Sequence, residues 1–197
     1  MLPLVLGITA FALYLIYDIN SCLWKRKWMR TLFAFGSFLL VLATAIDVAC
    51  AVRAQGFCGW LDALLLGISL LFAAGLVYSL FFAIPFDETY TRQTDGRAVC
   101  RCGVYAMCRH PGILFFFGMY LFAGLAAMPF ALLLEHGMIF SVLNLGYAWF
   151  QDRRTFPQTF CDYHDYQTKV PFLIPTTASL SRACRTLRQP VDEEVEL

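Results

Sequence analysis

Charge is scarce in this chain: Asp, Glu, Lys and Arg make up 15% of its 197 residues, while hydrophobic residues make up 59%. An ordinary water-soluble globule carries about a quarter of its residues as charges, so that class is excluded. Neither an internal repeat nor a low-complexity tract is present, and the length suits one domain. The N-terminal stretch Leu2 to Tyr17 lacks the basic flank and small-residue cleavage site of a signal peptide, which makes it a retained helix. The eight cysteines, at 22, 50, 58, 100, 102, 108, 161 and 184, lack the even spacing of a secreted disulfide framework, so a reduced, cytosol-facing compartment is expected. No apolar block shows the charged ring or broken polar centre of a channel or transporter.

What the chain has instead is apolar blocks, running roughly over 2–17, 31–52, 60–86, 112–128 and 129–150. Each approaches the ~20 residues that cross hydrocarbon as a helix. Five crossings put the termini on opposite sides and place 14 of the 15 basic residues on one face, leaving Arg53 alone on the other. The positive-inside rule then sets the N-terminus outside and the C-terminus in the cytoplasm. The expected fold is therefore all-α, an integral membrane bundle of about five helices, with the last two joined tightly near Met128 and Pro129. Asp47, Asp62 and Glu135, with His136 beside the last, fall in apolar blocks. Their places near predicted outer helix ends let them reach headgroups and water.

Two polar segments on the cytoplasmic face carry the titratable groups. The first, Gly103 to Pro111, leads into a helix: Pro111 suits a first turn, whose free N–H groups attract anions, and Arg109 adds a planar cation. His110 can hydrogen-bond a ribose or amino group, or take a proton near neutral pH. Alone, Arg109 and His110 would serve equally to anchor a helix at phosphate headgroups. The second segment follows the last apolar block, with Gln151, Asp152, Arg153 and Arg154, then Phe160, Tyr163, His164 and Tyr166, then Val170 to Pro175. Phe160, Tyr163 and Tyr166 make one aromatic stripe on a helix, which could lie on a membrane surface or close over a planar ring. Cys100, Cys102, Cys108 and His110 are close in sequence, but one residue between Cys100 and Cys102 is too few for a structural zinc pair, and no metal is expected.

Together these segments resemble the isoprenylcysteine carboxyl methyltransferase family and its phospholipid N-methyltransferase relatives. The resemblance rests on G-x-Y-x-x-x-R-H-P at Gly103 to Pro111, a helical hairpin, the pair Tyr163 and Tyr166, and V-P-x-x-I-P at Val170 to Pro175. It implies a membrane methyltransferase whose cytosolic C-terminal half encloses S-adenosylmethionine, while a lipidic or prenylated acceptor arrives from the bilayer. By that likeness Tyr105, Arg109, His110, Pro111, Tyr163 and Tyr166 would hold the cofactor, and Gln151 and Asp152 would stand at the catalytic position. Family members carry a Glu-Glu pair there; this chain keeps one acid, shortened to Asp152. It also has Ile113 and Phe115 where an aromatic and a Gly are usual, and Phe160-Cys161 in place of F-G.

The expected organisation is a three-helix membrane region over 1–102, the methyltransferase-like hairpin and cofactor segments over 103–176, and a mobile tail over 177–197. The expected partners are the lipid bilayer and an apolar acceptor, with no nucleic acid; the sequence is silent on oligomeric state. Short loops and the absence of a targeting tail point to a bacterial plasma membrane, with the site facing the cytoplasm. A catalytically idle protein that keeps the fold as a partner or scaffold is the competing expectation, favoured by Gln151. A sterol-reductase-like enzyme ranks last, because the chain is short for the larger helix set such enzymes use.

Overall fold

The computed structural model describes residues 1–55, 59–83, 98–128 and 130–186. Those residues are almost wholly helical, with no strand among them. The helices are α1 (Leu2–Ile19), α2 (Thr31–Gln55), α3 (Trp60–Phe81), α4 (Val104–Met107), α5 (Pro111–Ala126), α6 (Leu132–Phe150), α7 (Phe156–Thr159), α8 (Tyr163–Lys169) and α9 (Thr177–Thr186). The expected apolar blocks thus appear as α1, α2, α3, α5 and α6. Pro129, the polar residues Arg92 and Arg97, Cys58 and the tail from 187 lie outside the described residues.

Three stretches, Leu2–Trp24, Lys27–Ala54 and Trp60–Phe81, are long and apolar enough to cross a membrane. α5 is apolar but has 16 residues, which at 1.5 Å per residue spans about 24 Å against a hydrocarbon core of ~30 Å. α6 has 19 residues but carries Glu135, His136 and Asn144.

The chain divides into two compact units, one of residues 1–72 and 116–155, the other of 73–115 and 156–197. In the first, each helix buries only a narrow stripe. α1 buries Pro3, Gly7, Ala10, Phe11, Tyr14 and Asp18, a three-to-four residue repeat that keeps one face inward. α2 buries Gly36, Leu39, Ala43, Asp47 and Ala51, and α6 buries Leu133, His136, Gly137, Phe140 and Ser141. Apolar side chains outside these stripes, among them Val5, Phe38, Val41, Leu70 and Val142, are exposed. Small residues let the helices approach: a Cβ on Gly124 would sit 2.7 Å from the Leu134 backbone, and one on Gly137 would sit 2.6 Å from Tyr120.

Polar groups tie this bundle from inside. His136 Nδ1 lies 2.9 and 3.0 Å from the two Asp47 carboxylate oxygens. Tyr14 Oη donates to Ser37 Oγ at 3.0 Å, Ser69 Oγ donates to the Met119 carbonyl at 2.8 Å, and Thr44 and Tyr120 share a hydroxyl hydrogen bond. Asp47 is 2% exposed, which differs from the expectation that it reaches headgroups and water. The helical repeat puts it on the inward stripe, and a histidine satisfies it there. Asp62 is half-buried and accepts from the Gly59 N–H at the start of α3, while Glu135 is exposed, as helix-end residues are expected to be.

The second unit is built on a small aromatic core of Tyr163, Tyr166 and Val170, against which Val99, Phe156 and Phe160 pack. Residues 177–186, expected within a mobile tail, instead form α9. Its start is fixed by reciprocal hydrogen bonds, Thr176 N–H to Ser179 Oγ and Ser179 N–H to Thr176 Oγ1. Ser179, Ala183 and Thr186 are buried, on the side that meets α4.

Candidate functional site

Gly103 opens the first polar segment. Its φ of 55° is a backbone conformation that side-chain-bearing residues avoid, and its N–H donates to Thr186 Oγ1 at 2.9 Å. The chain can then turn through the single helical turn α4. Cys108 is extended, and Pro111, after Arg109 and His110, starts α5. Val170, ahead of Pro171, is extended, as the residue before a proline prefers to be.

These two segments meet. The Arg109 N–H donates to the Pro171 carbonyl at 2.9 Å and the His110 N–H to the Phe172 carbonyl at 3.3 Å. The Arg109 guanidinium reinforces the join: Nη1 donates to the Val170 carbonyl at 2.7 Å and to the Gln167 carbonyl at 3.0 Å. Both acceptors belong to the C-terminal end of α8, where carbonyls lack helical partners and a cation is favoured. The guanidinium carbon also lies 5.6 Å from the centre of the Phe172 ring. The His110 ring stacks on Phe156 at 5.7 Å and leans on Phe172 at 4.9 Å.

The tyrosines hold the same join from behind. Tyr166 Oη donates to the Tyr105 carbonyl at 2.6 Å, and Tyr105 Oη donates to the Ser79 carbonyl at 2.9 Å. Tyr163 and Tyr166 are each 2% exposed, so their rings are core. Burial pushes the Tyr166 phenol well above its ordinary range, which keeps it a donor. Burial also pushes the Cys108 thiol up to about 11.

Tyr105, Arg109, His110, Pro111, Tyr163 and Tyr166 therefore belong to one unit and one connected set of contacts. Gln151 and Asp152 belong to the other unit, on a π-helical turn, Gln151–Thr155, that continues α6. Asp152 is buried there. Gln151 Nε2 donates to Tyr147 Oη at 3.0 Å, and both side chains come within hydrogen-bonding range of the Asp18 carboxyl from α1. The other Asp18 oxygen, Oδ2, is buried without a partner among the described residues.

Several residues of this region gave no signal in the sequence. Asp162 accepts from the Val99 N–H at 2.8 Å and from Arg101 at 2.6 Å; Arg101 also reaches Asp165 at 2.5 Å. Arg101 beside it holds the Asp165 carboxyl below its ordinary range. Phe156 and Phe172 flank His110, and no spacing rule links residues so far apart in sequence. The Thr176–Ser179 pair was legible as a helix start.

Comparisons with protein-family models, with curated proteins and with solved structures return no match. The described residues define a class, an α-helical protein, and among them three helices have the length and composition to cross a membrane.

Proposed function

We propose that this protein is a membrane methyltransferase that uses S-adenosylmethionine and acts on a lipidic, prenylated or other apolar acceptor. In this reading α5 and α6 join the three longer helices as five crossings, with the N-terminus outside and the basic segments in the cytoplasm of a bacterial plasma membrane. One observation carries the proposal. The two motifs that resemble the methyltransferase family, some sixty residues apart, are joined directly through Arg109, His110, Val170, Pro171 and Phe172. Nothing in local sequence requires that join.

The residues fit such a cofactor unevenly. Arg109 and His110 bring a cation and a planar ring to a helix start, the chemistry that a carboxylate and a ribose require. Tyr105, Tyr163 and Tyr166 have their hydroxyls or rings engaged within the unit, so their part is to position the Arg109 and His110 backbone. Pro111 fixes where α5 begins. When bound, the cofactor supplies an electrophilic methyl group; the protein's task is alignment and exclusion of water. Asp152 would orient the acceptor or take its proton, and an acceptor carboxylate would need no proton removed. Gln151 cannot take a proton and serves by hydrogen bonding.

Saturable binding of labelled S-adenosylmethionine to detergent-purified protein is the expected result, weakened by His110→Ala. Asp152→Asn should retain binding and lose turnover on prenylcysteine or phosphatidylethanolamine. No saturable binding to the wild type overturns the proposal. A second reading, a catalytically idle scaffold, draws on the internal engagement of Arg109, Tyr105 and Tyr166; binding without turnover on any acceptor would favour it.

A further inference from the structure

The segment just ahead of Gly103 holds a feature that methyl transfer does not use. Residues 98–102 are irregular chain, and successive side chains go to opposite sides. Arg101 turns to Asp162 and Asp165, while Cys100 and Cys102 turn together to the other side, where their sulfurs lie 3.0 Å apart. Closing a disulfide from there needs a contraction of about 1 Å. Cys100 is half-buried, Cys102 is 9% exposed, and Cys108 is fully buried.

We propose that Cys100 and Cys102 form a redox-active dithiol that closes to an intrachain disulfide by exchange with low-molecular-weight disulfides. This site is independent of the proposed methyl transfer. Hydrogen bonding between the two sulfurs lowers the Cys102 pKa to about 7, while the same contact and burial raise Cys100, whose thiol also faces the Ala83 carbonyl at 3.9 Å. The Cys102 thiolate attacks one sulfur of the small disulfide, whose S–S bond breaks and releases a thiolate that takes up a proton. Cys100 then gives its proton to solvent and attacks Cys102 Sγ, expelling the second small thiol. Two protein thiols are oxidised and one small disulfide is reduced to two thiols.

A ring closed over a single intervening residue is strained, and strained disulfides are the readily reduced, regulatory kind. Such a bridge suits a reducing compartment as a transient state. Arg101, pinned by two carboxylates, holds the backbone between the sulfurs, and the Tyr105 N–H donates to the Cys102 carbonyl at 3.1 Å.

The test is to treat detergent-purified full-length protein with oxidised glutathione at pH 7, alkylate the remaining thiols and map the cysteines by mass spectrometry. The expected product is a 98–109 segment two hydrogens lighter, with Cys108 alkylated after denaturation, restored by dithiothreitol. Cys100→Ser should trap a glutathione adduct on Cys102 that dithiothreitol releases. Cys108→Ser should leave the bridge unchanged, which excludes a Cys100–Cys108 link. Full alkylation of both Cys100 and Cys102 after treatment, with adducts only on the exposed Cys161 and Cys184, would overturn the proposal. So would the absence of any Cys102 adduct in Cys100→Ser.

Discussion

The first unit and the aromatic cluster of the second solve burial in opposite ways. In the first, polar groups such as Asp18, Asp47, His136 and Ser141 are inside while Val5, Phe38, Val41 and Leu70 are outside. In the second, Tyr163, Tyr166 and Val170 are inside, and the charges of Arg101, Asp165 and Lys169 lie at or near the surface. An apolar exterior is costly in water and costs nothing in hydrocarbon, where helix association relies on close packing and interhelical hydrogen bonds instead. The aromatic cluster over 156–170 follows the rules of a water-facing core, while the second unit's part of α3 exposes Val77, Leu80 and Phe81 as the first unit's helices expose theirs.

The largest test of this contrast is the Asp47–His136 pair. His136→Phe leaves a buried carboxylate without its partner and should cost about 3 kcal/mol or more in the first unit. The double variant Asp47→Leu with His136→Phe should recover most of that loss. Equilibrium unfolding in mixed detergent measures both, and a double variant as unstable as the single one would refute a satisfied polar interior.

Next in size is Arg109→Ala, which removes the donor to the Val170 and Gln167 carbonyls and should destabilise the second unit by roughly 2 kcal/mol. Hydrogen exchange should rise over 163–172 and stay unchanged over α1, α2 and α6. Spread of the effect into those helices would mean that the units do not respond separately.

The smallest effect concerns acid. Arg101 lowers the Asp165 pKa, so the pair stabilises the folded form above the ordinary carboxylate value of 3.8 and loses that contribution as pH falls further. An exposed pair contributes little. Asp165→Asn should therefore flatten the acid limb of a melting profile slightly, below about pH 4, and change nothing near neutrality.

Much of the first unit was legible because a helix in an apolar setting is announced by its own residues. The blocks predicted α1, α2, α3, α5 and α6 nearly to their ends, since each helix satisfies its backbone locally. Which face turns inward was less legible. Hydrophobic periodicity is weak when both faces are apolar, so Asp47 looked like a helix-end charge until the bundle placed it beside His136. In the candidate site, the motif residues were found, but their contacts were not. Tyr163 and Tyr166 have rings that could stack on a ligand or on each other's neighbours, and only packing with Val99, Phe156 and Phe160 decides which.

The scarcity and placement of charge determined, from sequence alone, that this chain is helical and that its helices suit a membrane. Both depend on local hydrogen bonding and on the length of apolar runs. Tertiary structure alone decided which polar residues share partners: Arg109 with the end of α8, Gln151 and Tyr147 with Asp18, Cys100 with Cys102. The first two pairings depend on the close approach of segments far apart in the chain, and the third on the local course of the chain ahead of Gly103. Neither propensity nor periodicity encodes them, because each residue's role is set by what the fold brings within about 3 Å of it.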